Sequence, residues 1–154
     1  MPRFNATKRP DALKPLFTLA EYVRNCGLEQ SLIELVLMRV SQLNGCAYCL
    51  DMHSKDARAA GETEQRLYLL QAWREAPFYS EREKAALAWS EAVTRMEPNG
   101  IADQIFAQAS AQFSEEELVN LIMAVILMNS WNRIAIPFQA MPGSHQPAKR
   151  RESV

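Results

Sequence analysis

The sequence has 154 residues, 48% of them apolar, with 17 basic and 18 acidic side chains and a formal net charge of −1. A chain of this size suits one domain with a core of its own, or one subunit of an oligomer, and has no need of disulfide staples. The balanced charge excludes the basic excess by which proteins hold nucleic acid or an anionic membrane surface.

Residues 1–10 carry Pro2 and Pro10 among polar residues and read as an extended lead-in. From there to residue 141 the pattern is helical, without convincing β alternation, and no composition break marks a second domain. Residues 11–25 place Leu13, Leu16, Phe17, Ala20 and Val23 at helical spacing. Residues 31–43 form a second helix, stopped by Asn44-Gly45. A third runs from about Cys46 to Gly61, and a fourth spans 63–73 before Pro77 interrupts the pattern. Ser80-Glu81-Arg82-Glu83 is a capping box that opens a helix through Thr94. Asn99-Gly100 marks a turn and 102–112 a short helix. A second capping box, Ser114-Glu115-Glu116-Glu117, opens a long apolar helix that ends near Pro137. The expected fold is an all-α, single-domain bundle of six or seven helices.

The second and last helices are apolar almost all round, which predicts burial in a core or in an oligomer interface. The tail, 142–154, holds Pro142, Gly143, Pro147 and the run Lys149-Arg150-Arg151, and reads as a disordered, solvated extension. The N-terminus lacks the charged-then-apolar order of a signal peptide, and the longest unbroken apolar run, 121–128, is too short to span a bilayer. The expectation is a soluble, cytoplasmic protein with neither nucleic acid nor membrane as partner.

The segment Asn44-Gly45-Cys46-Ala47-Tyr48-Cys49-Leu50-Asp51-Met52-His53 carries the chemistry. It has the form C-x2-C-x3-H. With a helix starting near Cys46, both sulfurs fall in its first turn, where the helix N-terminus stabilises a thiolate. Residues three apart share a face at a separation that suits a disulfide. His53, four residues after Cys49, lies over the same face, where an imidazole accepts a thiol proton. Gly45 permits the sharp turn between the two helices. Two other readings stand beside the redox one. Cys46, Cys49 and His53 are three potential zinc ligands, with Cys26 or water as a fourth. Alternatively the cysteines are small apolar core residues, the reading that suits Cys26. Glu34 sits inside the apolar second helix, where a carboxylate needs a partner or a task. Arg39 and Arg133 are candidate ion-pair partners. His145 lies in the tail and takes no part.

The stretch from Glu34 through Arg39 and Asn44 to Cys46, Cys49 and His53 resembles the alkylhydroperoxidase D branch of the carboxymuconolactone decarboxylase superfamily. That branch has the pattern E-x11-C-x2-C-x3-H, matched here at Glu34, Cys46, Cys49 and His53. The likeness continues through Gly61-Glu62, Ala72-Trp73-Arg74-Glu75, the segment from Glu83 to Trp89, and Asn129-Ser130-Trp131-Asn132-Arg133. It covers roughly residues 11 to 138 and is far more specific than a lone C-x2-C. The resemblance implies a helical bundle of the alkylhydroperoxidase D type and a dithiol peroxidase cycle. In that cycle Cys49 attacks the peroxide, Cys46 resolves, His53 accepts the proton, and Glu34 is linked to His53, directly or through water. It further implies a hydroperoxide substrate, a dithiol protein or small thiol as reductant, no bound organic cofactor or metal, and trimers or hexamers. The decarboxylase members lack the cysteine pair, so lactone decarboxylation is not expected. Tyr48 stands where the best-known peroxidase members carry a second histidine. The alternative from another class is a redox adaptor or sensor that relays oxidation to a partner protein; a zinc-bound structural module ranks behind it.

Overall fold

A computed structural model describes residue 3 and residues 8–147. Among the described residues there are seven α-helices and no strand: α1 (Pro10–Asn25), α2 (Gln30–Asn44), α3 (Ala47–Ala59), α4 (Glu64–Leu69), α5 (Glu81–Arg95), α6 (Asp103–Ser110) and α7 (Glu115–Ala135). The lead-in 1–10 lies largely outside the described residues, as does the basic run at 149–151.

Helix ends fall where local chemistry dictates. Ser80 and Ser114 accept from the backbone N–H of Glu83 and Glu117, whose carboxylates bond back to the two serine N–H groups. Both expected capping boxes are therefore formed, and four orphan donors are satisfied. Pro10 opens α1, where its missing N–H costs nothing.

The fourth helix departs from expectation. Only 64–69 are α-helical, and Leu70–Ala72 winds into a 3-10 turn. The reason is visible in spacing: Leu67, Leu70, Trp73, Ala76 and Tyr79 recur every third residue and all are buried. A tighter, three-residue winding keeps residues at that interval on one face.

The core centres on α2 and α7. α2 packs on α7, α5 and α3; α1 lies along α7, and α6 closes on α5. Val36, Val40, Leu121, Ala124 and Val125 are wholly buried between them. By length and composition α7, at 21 residues, is apolar enough to cross a bilayer, which the count of unbroken apolar residues overlooked. It is the central helix of this bundle, carrying two buried asparagines, Asn120 and Asn132.

One buried polar cluster ties the second layer together. Glu91, 2% exposed, accepts from Arg39 Nε at 2.7 Å and Trp73 Nε1 at 2.9 Å through one oxygen, and from Arg74 at 2.9 Å through the other. Burial alone raises its carboxyl pKa, but the bonds from Arg74, Trp73 and Arg39 outweigh that and hold it below the usual range. A carboxylate depressed in the folded state stabilises above its unfolded pKa, and the contribution fades as pH falls through the folded value. Removing one partner strands the other charge in low dielectric. Glu91→Ala is therefore expected to lower unfolding free energy by about 3–5 kcal/mol in urea titrations, with Arg39→Met/Glu91→Leu recovering much of the loss. A single variant within about 0.5 kcal/mol of wild type contradicts a structural role for the cluster.

Candidate active site

The site is built at the junction of α2 and α3. Gly45, at φ 71°, ends α2 in the left-handed region, and its N–H reaches back to the Gln42 and Ser41 carbonyls. An L side chain is strained there, which explains the glycine. The turn makes Cys46 the N-cap of α3. Its own N–H donates to the Ser41 carbonyl at 3.0 Å, and its Sγ accepts from the Cys49 N–H at 3.4 Å. A sulfur thus occupies the position usually held by a serine or aspartate oxygen. Both cysteines are buried and reduced, while Cys26 is half-buried and lies apart from the pair in sequence and in role.

The turn also folds α3 back along α2, and this joins the remaining expected residues. His53 Nδ1 lies 2.9 Å from Glu34 Oε2, a direct contact that needs no bridging water. The other Glu34 oxygen accepts from Gln30 Nε2 at 3.1 Å. Neither candidate arginine pairs with Glu34: Arg39 is committed to Glu91, and Arg133 bonds Asn129. An ionised Glu34 is acceptor only, so it takes the Nδ1 proton and leaves Nε2 as the basic nitrogen. His53 Nε2 is buried and has no hydrogen-bond partner among the described residues. Such an orphan is costly, and a task is one explanation for its retention.

A cavity of about 710 Å³ opens beside this junction. Phe17, Leu37, Met128, Trp131 and Phe138 supply apolar wall; Glu34, Tyr48, Cys49 and His53 form a polar end. Cys49 lines the cavity, and Cys46 is not among the lining residues.

The two sulfurs share a hydrogen bond and therefore titrate as a pair. Bonding from the Cys49 thiol and N–H, aided by the charge of His53, brings the Cys46 thiol down to about 6 against the opposing effect of burial. That same thiol bond, together with burial and the negative charge on Cys46, pushes the Cys49 thiol well up. The resting thiolate is on Cys46, and the sulfur facing the cavity holds the proton.

Two features lay outside the sequence reading. The tail was expected to be disordered from residue 142, yet 142–147 lie on α3. The Gly143 N–H donates to Asp51 at 2.8 Å, and His145 Nε2 meets Asp56 at 2.7 Å. Acidic side chains on the outer face of α3 give these residues partners, and His145, set aside from sequence, lines the cavity. The second feature is a chain of amides: Asn44 donates to Asn129 at 3.0 Å and to Asn132 at 2.8 Å, bridging α2 and α7. Polar residues spaced three apart within an apolar helix were the available signal.

Zinc would need converging ligands, and among the described residues no three His, Cys, Asp or Glu side chains are grouped to hold an ion.

A helical bundle with a sulfur-capped helix and a Glu–His couple beside the second thiol defines a protein of the alkylhydroperoxidase D-like type. Residues 10–92 match the carboxymuconolactone decarboxylase family, and the chain belongs to that family. The uncharacterized protein YdfG of Bacillus subtilis (strain 168) is 42% identical over 127 residues, 82% of this chain and 86% of that one. The solved structure of ATU0492 from Agrobacterium tumefaciens is of a protein of unknown function, for which an AhpD antioxidant-defence role has been suggested. It matches at a TM-score of 0.90 and 41% identity, over 94% of this chain and 100% of the other. The debrominase Bmp8 shares the fold at a TM-score of 0.80 and 21% identity, over 90% of this chain and 74% of its own.

The capped geometry has a direct spectroscopic consequence. Titration of ultraviolet thiolate absorbance is expected to show a first step near pH 6. The step is lost in Cys46→Ser and kept in Cys26→Ser. A first step confined to the ordinary thiol range, about pH 8.5, contradicts the assignment.

Proposed function

We propose that the protein is a thiol-dependent peroxidase that reduces hydroperoxides through a Cys46/Cys49 dithiol–disulfide cycle assisted by His53 and Glu34. The observation that carries this reading is the cavity end where Cys49 lies one helical turn from His53, whose Nε2 is unpartnered and whose Nδ1 is held by Glu34. The family includes enzymes, and the likeness to ATU0492 supports a role in antioxidant defence.

The chemistry follows from the geometry. His53 Nε2 takes the proton of Cys49, and the resulting thiolate attacks the nearer peroxide oxygen. The O–O bond breaks, the alcohol leaves with the proton from His53, and Cys49 becomes a sulfenic acid. Cys46, already a thiolate, attacks the Cys49 sulfur. The S–S bond forms, and hydroxide leaves as water with the proton Cys46 had given up. One hydroperoxide and two thiols thus become one alcohol, one water and one disulfide, with two electrons drawn from the pair.

Reduction reverses the order of the sulfurs. A thiolate of the reductant, whether a dithiol protein or a small thiol, attacks Cys49 through the cavity, and Cys46 departs as a low-pKa leaving group. A second thiol of the reductant then frees Cys49. No bound cofactor enters the cycle. A pair returned to the dithiol form this way belongs in a reducing compartment such as the cytoplasm. Exposed apolar side chains along α1 and α7, including Phe17, Tyr22, Val119 and Ile126, support assembly into a homo-oligomer, a trimer or hexamer by the family resemblance.

Steady-state consumption of an organic hydroperoxide with a dithiol reductant tests the reading. Wild type turns over, Cys49→Ser does not, and Cys46→Ser stops after one sulfenic acid per chain. His53→Gln slows peroxide reduction by roughly 10²-fold, the scale of a lost general base. Absence of turnover in wild type with every dithiol offered, or undiminished turnover in Cys49→Ser, overturns it. In the first case the redox-adaptor reading takes its place.

A further inference from the structure

The polar side chain of α7 nearest the thiol pair has no part in the cycle just described. Asn132 is completely buried. Its Oδ1 accepts from Asn44 Nδ2 at 2.8 Å, which fixes the amide's orientation and aims the NH₂ group inward. That NH₂ group is 3.2 Å from Ser41 Oγ and 3.3 Å from Met128 Sδ. Ser41 is also the residue whose carbonyl holds the Cys46 N–H. The Asn132 amide thus sits over the turn that presents Cys46, and it lies within hydrogen-bonding reach of both Cys46 and Cys49.

We infer that Asn132 is a thiolate-stabilising residue of the active site: its side-chain NH₂, oriented by Asn44, donates to the sulfur that carries the negative charge. The role rests on the dithiol reading and completes it. A buried thiolate capped only by a backbone N–H at 3.4 Å has one weak donor on its helix side. Asn132 supplies a second donor from the opposite helix. The donor is neutral, so it stabilises the thiolate without replacing the charge relations around the pair. Those charges come from His53 on α3 and, through it, Glu34 on α2; α7 contributes only the amide. As the charge passes from Cys46 to Cys49 and back during the cycle, one NH₂ group within reach of both sulfurs serves each in turn. The amides of Asn44 and Asn129 are, by contrast, engaged in holding α2 to α7.

Two measurements test this, and neither depends on peroxide turnover. The first uses wild-type protein with its asparagine side chains labelled with nitrogen-15. The Asn132 NH₂ resonances are expected to move with the same midpoint as the thiolate absorbance, and to lose that dependence once the 46–49 disulfide forms. The second compares variants by thiolate absorbance. Asn132→Leu is expected to lower the acid dissociation constant of the first thiol by roughly 10-fold or more, the scale of a hydrogen bond to a charged group. Asn44→Ala, which removes the interhelical tie and leaves the donor in place, is expected to shift it by less than about 3-fold. Asn132 resonances indifferent to thiol ionisation overturn the inference even if Asn132→Leu does not fold, and equal shifts in the two variants reduce Asn132 to a structural tie. Should wild type fail to turn over peroxide while the Asn132 resonances follow the thiolate, only the peroxidase reading falls.

Discussion

The left-handed turn at Gly45 is the constraint on which the site depends. It ends α2 and starts α3 with no intervening loop, so the first residue after the glycine becomes an N-cap and the two helices run back against each other. Three consequences follow from that one turn. Cys46 meets the free N–H groups of a helix start. Cys49 falls in the next position on the same face. His53, a further turn along α3, comes back to the level of Glu34 on α2. A loop of two or three residues at this point would leave the same side chains present and the site unassembled.

A turn positions the groups, and burial sets their chemistry. Both sulfurs and His53 are screened from water, so the hydrogen bonds between them act at low dielectric and matter more than they would at the surface. The pair divides its charge unequally for this reason: the capped sulfur holds the thiolate, and the sulfur facing the cavity keeps the proton. That division suits a two-step cycle. The thiol that meets the oxidant lies beside a base, and the thiol that resolves is ionised before it is needed. The cost is a set of buried polar groups that must all be satisfied. Asn132, Asn44 and Ser41 meet part of that demand at the site, and Glu91 with its three donors meets it in the layer behind.

Much of this was legible in the chain. The helical period of α1, the two Ser-x-x-Glu boxes and the Asn44-Gly45 stop are local signals, and local physics placed those boundaries to within a residue or two. The C-x2-C-x3-H spacing identified the reactive segment because spacing on a helix is geometry. Other features depend on contacts between distant residues, and sequence could not supply them. Glu34 looked anomalous in an apolar helix, but its choice of His53 over Arg39 is decided by α5, which brings Glu91 to Arg39. The 3-10 winding after Leu69 follows from a three-residue apolar period that a helical template absorbs without remark. Residues 142–147 looked like free tail because their partners, Asp51 and Asp56, lie about ninety residues earlier. The division of roles between the sulfurs was also hidden, since it rests on which one caps the helix and which one faces the cavity.

The central claim is that Glu34 fixes His53 so that Nε2 is the base beside Cys49. Nitrogen-15 chemical shifts of the His53 ring, recorded with the imidazole neutral in the reduced protein, test it most directly. The account predicts a protonated Nδ1 and a bare Nε2, with that preference weakened in Glu34→Gln. A neutral ring carrying its proton on Nε2 would contradict it, because the nitrogen turned toward the cavity would then have no lone pair with which to take the thiol proton.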